Sequence, residues 1–246
     1  FEFGRIESVQ WMPDSPLYEM LNGGPNRYPP IPGARQIIQE YMEAVSKAAT
    51  KFVRLVAMAL ELSEHAFDQY VGYQDRLKIV RYPASETAGQ GLGPHKDSSG
   101  WWTFLLQASP PHVNGLQVLN KAGQWIDVPN KPGTFVVNIG QAFEVLTHGA
   151  CKATIHRVVS GGAERYSVPF FLGVKPDLTR REALTAFADH FEEQSDESVE
   201  GSQVDSSWLR GKYDVWGEAQ LRTKIRSHRN VGKKFYPEVY EQYLND

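Results

Sequence analysis

The stretch Lys152-Ala153-Thr154-Ile155-His156-Arg157-Val158-Val159, followed after a glycine pair by Arg165-Tyr166-Ser167-Val168-Pro169-Phe170-Phe171-Leu172-Gly173, reads as two adjacent β-strands. Working back toward the N-terminus, Leu77–Tyr82, Trp101–Gln107, Leu116–Asn120, Gln124–Val128 and Thr134–Ile139 have the same texture. Gly, Pro and Asn punctuate them at short intervals, and no helix-length segment is expected between them. Many short strands at regular spacing predict antiparallel pairing rather than parallel βαβ units. The fold class expected is therefore mainly β with flanking helices, its core a double-stranded β-helix, or jelly roll, over residues 77–173.

On either side the periodicity changes. Residues 1–33 are irregular, with Pro13, Pro16, Pro25, Pro29, Pro30 and Pro32 crowded together. From Ala34 to Leu62, apolar residues recur at helical spacing (Ile37, Ile38, Tyr41, Met42, Val45, Ala48, Ala49, Phe52, Leu55, Val56, Ala59, Leu60), which predicts a long amphipathic helix packed on the core. A shorter helix is predicted over Ser63–Val71, with Ser63 as its N-cap. Residues 174–246 read as a loop and helices: an acidic, Ser-rich cover over 189–207, then helices near Glu218–Arg229 and Pro237–Leu244. The whole of 1–246 is expected to be a single domain.

Composition excludes several classes of function. The formal charge of -3, from 26 basic and 29 acidic residues, gives no field to attract nucleic acid or an anionic membrane. No run approaches the roughly 18 apolar residues of a membrane span. One cysteine, Cys151, forbids an internal disulfide and suits the reducing cytoplasm. Arg222, Arg226, Arg229 and Lys233 form a stripe at helical spacing, read as a solvated face.

Chemistry concentrates at His95-Lys96-Asp97, at His156 and at Arg165-Tyr166-Ser167. In an extended segment, residues two apart share a face, so His95 and Asp97 point together while Lys96 points away. Two imidazoles and a carboxylate form a facial set suited to non-heme iron(II), with positions left for oxygen and a cosubstrate. Separately, these residues could be a surface His-x-Asp and a core histidine bonded to a carbonyl; their order along the chain favours the metal. Arg165 and Ser167, also sharing a face, could hold a carboxylate. Continuing that period of two brings Pro169 and Phe171 into line, which makes Phe171 a candidate substrate contact; Trp101 and Phe143 are further ones. Of Trp101 and Trp102, only one should face inward. His148 is read as a turn residue rather than a ligand, and Cys151 lacks an activating base.

These motifs, together with Tyr82-Pro83, Gly115-Leu116-Gln117-Val118 and Val136-Val137-Asn138-Ile139-Gly140, resemble the iron(II)/2-oxoglutarate-dependent oxygenases of the isopenicillin N synthase-like group. The resemblance covers Leu77 to Gly173. It implies iron(II) held by His95, Asp97 and His156, and 2-oxoglutarate held by Arg165 and Ser167 with help from the Tyr82 hydroxyl. It implies oxidation of a small organic molecule by O2, coupled to decarboxylation of 2-oxoglutarate. An oxidase that dispenses with 2-oxoglutarate, or a non-catalytic ligand-binding jelly roll, are the competing expectations. Gln141-Ala142 stands where many relatives carry an acidic residue. Relatives also carry a longer N-terminal region, so part of the family domain is expected to precede Phe1. Oligomeric state is not legible.

Overall fold

The computed structural model describes residues 1–5, 12–22, 24–85, 89–191 and 204–245. The jelly roll is present. One sheet runs β1 (Glu2–Gly4), β2 (Arg76–Lys78), β10 (Arg165–Phe171), β5 (Trp102–Gln107), β8 (Val136–Ile139), and β3 (Val80–Tyr82) also pairs with β10. The other sheet runs β4 (Gly89–His95), β9 (His156–Ser160), β6 (Leu116–Leu119), β7 (Trp125–Asp127). Every pairing is antiparallel.

Strand parity divides the larger sheet between two environments. On β5, Trp102 and Phe104 meet Phe52 edge-on at 5.2 and 5.5 Å, so this face packs on helix α1 (Ala34–Ala59). Thr103 and Leu105 alternate with them and line a cavity between the sheets. Helix α1 buries Ile38, Met42, Val45 and Ala49 of the expected pattern and continues it with Val53 and Ala57, whereas Phe52 and Val56 are only partly buried and Ile37 and Leu55 are exposed.

Several boundaries differ from the sequence reading. Residues 63–71 are not a second α-helix. Glu61 takes a left-handed φ of 60°, and the chain then closes i→i+3 bonds (Ala66 to Ser63, Asp68 to His65, Tyr70 to Phe67), leaving only a 3-10 turn at Asp68–Tyr70. Strand β4 is hidden by its composition: Gly-Gln-Gly-Leu-Gly-Pro-His has little strand propensity, and its pairing with β9 carries register shifts. A six-residue helix, α2 (Gln141–Leu146), interrupts the strands and is too short to show a period. Helix α3 (Arg180–Ala186) is also absent from the sequence reading, although Thr179 and Glu182 form a capping box. The tail forms α4 (Trp216–Ser227), α5 (Arg229–Phe235) and α6 (Pro237–Asn245), and His228 breaks the basic stripe between α4 and α5. Most of the expected acidic cover, 192–203, lies outside the described residues.

Candidate metal centre and its cavity

His95 ends β4 and lies directly across from His156, the first residue of β9, with ring centroids 4.2 Å apart. Asp97 follows just beyond the strand. One ligand atom from each of the three lies within 4.8 Å of the others. His156 Nε2 is 3.5 Å and His95 Nε2 3.8 Å from Asp97 Oδ1. Both imidazoles place Nδ1 on a carbonyl two residues back, Gly93 at 2.9 Å and Thr154 at 3.0 Å. A proton held at Nδ1 leaves the Nε2 lone pairs free for a metal. Asn138 Nδ2 donates to Asp97 Oδ2 at 3.4 Å, and the Gln141 amide donates to the Asp97 carbonyl at 2.9 Å, fixing the ligand through α2.

The electrostatics match a cation site. Burial alone would raise the Asp97 carboxyl, but the hydrogen bond and charge of His156 outweigh it and hold Asp97 below its ordinary value. His156 is pushed up despite burial because Asp97 faces it. His95 is pushed down by burial and by neighbouring His156, toward the neutral form that a metal requires.

These side chains open onto a cavity of about 410 Å³. Arg165, Ser167, Pro169 and Phe171 of β10 all line it, as the period of two required. Arg165 is 3% exposed; its Nη2 donates to Gln107 Oε1 at 3.4 Å and its guanidinium lies 5.1 Å from the Tyr82 ring centroid. Its Nε and Nη1 are buried with no partner. Orphaned buried donors on a cation each cost about 1–3 kcal/mol or more. Gly115 makes room for this arrangement. Its φ is +146°, and a Cβ there would meet the Val159 carbonyl at 2.6 Å and Arg165 Cδ at 3.4 Å.

Lys96 turns away from the ligands, but not to solvent. Its ammonium sits 3.3 Å from Glu144 of α2 and 2.9 Å from Asp205, with all three side chains under 10% exposed. Glu144 Oε2 also accepts from the Ala153 amide at 3.1 Å, just before the His156 strand. One buried network thus ties together both ligand-bearing segments. Gln141 joins it: its Oε1 accepts from the Ser206 amide at 2.7 Å. Sequence spacing carries no sign of this network, since its members are remote in the chain. Lys96→Met should cost about 3–5 kcal/mol, because two buried carboxylates lose their cation. Burial already holds Glu144 above its ordinary carboxylate value near 4.5, against the pull of Lys96. A carboxyl whose folded pKa is raised stabilises less as pH climbs past the unfolded value. The deficit of the variant, measured by urea unfolding, should therefore be larger at pH 7 than at pH 5.

Of the expected substrate contacts, only Phe171 lines the cavity. Trp101 is buried on the helix side, donating Nε1 to the Tyr70 carbonyl at 2.8 Å. Phe143 sits on α2 against Phe67, Trp101 and Trp102, with centroids at 5.1, 6.0 and 4.7 Å. Both are core residues, because α2 closes over the end of β5. For the same reason Trp101 and Trp102 are both buried, rather than one of the two. His148 occupies a left-handed turn, φ 50°, outside the ligand cluster, and burial pushes the Cys151 thiol up.

Comparison with known proteins places the site in context. Residues 73–174 match the profile of the 2OG-Fe(II) oxygenase superfamily. The 2-oxoglutarate-dependent dioxygenase frbJ of Dothideomycetidae sp. (strain 11243) is 42% identical over 244 residues, covering 92% of this chain; the chain spans 65% of that relative's length. A crystal structure of JOX2 in complex with 2OG, Fe and JA is 33% identical with a TM-score of 0.56, over 61% of this chain and 46% of that one. A full-length Neurospora crassa protein, crystallised in complex with alpha-KG, shares the fold at 23% identity and a TM-score of 0.62, over 83% of this chain and 68% of that one.

Proposed function

We propose, because the chain belongs to the 2OG-Fe(II) oxygenase superfamily, that it is an iron(II)- and 2-oxoglutarate-dependent dioxygenase acting on a small organic molecule. Bound together, iron(II), 2-oxoglutarate and O2 would supply an oxidation in which the cosubstrate becomes succinate and carbon dioxide while the substrate is hydroxylated, desaturated or ring-closed. His95 Nε2, Asp97 and His156 Nε2 would hold the metal; their donor set of two nitrogens and one carboxylate fits iron(II). Arg165 and Ser167 would take the far carboxylate of 2-oxoglutarate, with Tyr82 against the guanidinium face.

The observation that carries this reading is Arg165, a buried cation with no carboxylate partner among the described residues, on the wall of the cavity that the ligand cluster shares. An oxidase working without 2-oxoglutarate would need its substrate's own carboxylate there, and the stoichiometry of the reaction separates the two. The remaining residues position and exclude. Asn138 and the Gln141 amide keep Asp97 oriented, the Nδ1 bonds keep the Nε2 atoms deprotonated, and Leu105, Leu116 and Val158 wall the cavity against water. Relatives with fungal and small-molecule associations support a small organic substrate; residues 1–246 are read as belonging to one oxygenase domain. No described helix is long and apolar enough to cross a membrane. The lone Cys151 fits a cytoplasmic setting.

The test is stoichiometric. With iron(II), 2-oxoglutarate and O2, purified protein should release one succinate per O2 consumed, and omission of 2-oxoglutarate should stop O2 uptake. Sustained uptake without 2-oxoglutarate would establish the oxidase reading instead.

A further inference from the structure

Arg165 is one cation on the cavity wall, and Lys78 is another that the proposed machinery does not use. Lys78 ends β2 and projects into the cavity, where its ammonium stands 5.3 Å from the centroid of the Phe171 ring. Among the described residues no carboxylate forms an ion pair with it. The nearest candidate across the β1–β2 ladder is Glu2, whose carboxylate already holds Lys224 at 2.7 Å and faces Arg76 at 3.8 Å. Three cations therefore converge on one carboxylate, and the surplus charge opens onto the cavity through Lys78. Lys96, by contrast, is neutralised by Glu144 and Asp205.

Position decides what this surplus serves. Arg165 and Phe171 are six residues apart on an extended strand, roughly 20 Å. A five-carbon cosubstrate anchored at Arg165 cannot occupy the Phe171 end as well. The cavity that Lys78 lines also has apolar wall residues, Val80, Leu92, Pro169 and Phe171, and His95 is close enough to feel the Lys78 charge. An ammonium that shares its one nearby carboxylate with two other cations keeps charge that an incoming carboxylate would neutralise.

Building on the oxygenase reading, we propose that Lys78 is a specificity-determining residue that receives the carboxylate of the organic substrate. The substrate class is then a small organic acid, its apolar body lying against Phe171 and Pro169. The ring of Phe171 holds the ammonium in place through a cation–π contact and walls the hydrocarbon side.

The experiment uses the full chain loaded with Mn(II) and 2-oxoglutarate, and a panel of alkanoic and arylalkanoic acids, 3-phenylpropanoate among them, each beside its primary amide. Affinities are read from paramagnetic broadening of the ligand proton signals. Acids should bind at least about tenfold more tightly than their amides in the wild type. Lys78→Met should erase that preference and Lys78→Arg should keep it, while Mn(II) and 2-oxoglutarate affinities verify that both variants are folded. Amides binding as well as acids, no acid binding at all, or a preference that survives Lys78→Met would each overturn the proposal. If the wild type does not take up Mn(II) and 2-oxoglutarate, the oxygenase reading fails instead; the acid preference is then read on metal-free protein by saturation transfer.

Discussion

Replacing His156 with Ala should abolish metal-dependent succinate release and weaken Mn(II) binding on the order of 100-fold or more. The size of the effect follows from what His156 does. Its Nε2 is one of three donors within 4.8 Å of one another, and two remaining ligands cannot hold a facial site. It also favours the charged form of the neighbouring carboxylate: Asp97 is 7% exposed, and against the burial that raises its carboxyl stand the hydrogen bond and charge of His156, with smaller help from Thr103 and His95. Without the imidazole, Asp97 loses a ligand partner and the interaction that readies it for a cation. Circular dichroism would separate this from unfolding, since β9 retains its ladder to β4 and β6. Normal Mn(II) affinity in folded His156→Ala would remove His156 from the site.

The second large effect is expected at Arg165. Arg165→Lys should raise the 2-oxoglutarate concentration for half-maximal turnover by about 10- to 100-fold and leave Mn(II) affinity unchanged. Lysine keeps the positive charge, so charge alone predicts a small effect. Geometry predicts a large one. The guanidinium presents its N–H groups in a plane held between Gln107 and the Tyr82 ring, and an ammonium presents neither the plane nor the fork. A loss confined to cosubstrate affinity marks an interaction made equally in ground and transition states. An unchanged 2-oxoglutarate requirement would mean that the carboxylate is held elsewhere.

How much of the fold and site is legible in the sequence depends on locality. Alternation within one strand is a local property, so the period of two along β10 puts Arg165, Ser167, Pro169 and Phe171 on one face, and they line one cavity. The long helix is legible because its buried positions repeat over 26 residues. The glycine-rich β4 is not, because its pairing with β9 and not its composition makes it a strand. Trp101 and Phe143 look like rim aromatics only because α2, six residues long, leaves no periodic trace; once it folds over β5 they are core. The network of Lys96, Glu144 and Asp205 joins residues 48 and more positions apart, and no window along the chain contains it. Parity says correctly that Lys96 leaves the metal side, and says nothing about where it arrives.

The most direct measurement is an anaerobic titration of the metal-free protein with iron(II) and then 2-oxoglutarate, followed by visible absorption. A charge-transfer band should develop only when both are present, because it needs the 2-oxo acid bound at the iron that His95, Asp97 and His156 are proposed to hold. The His95→Ala, Asp97→Ala double variant should show none. Absence of the band in the wild type, or an equal band in the double variant, would contradict the assignment of this site.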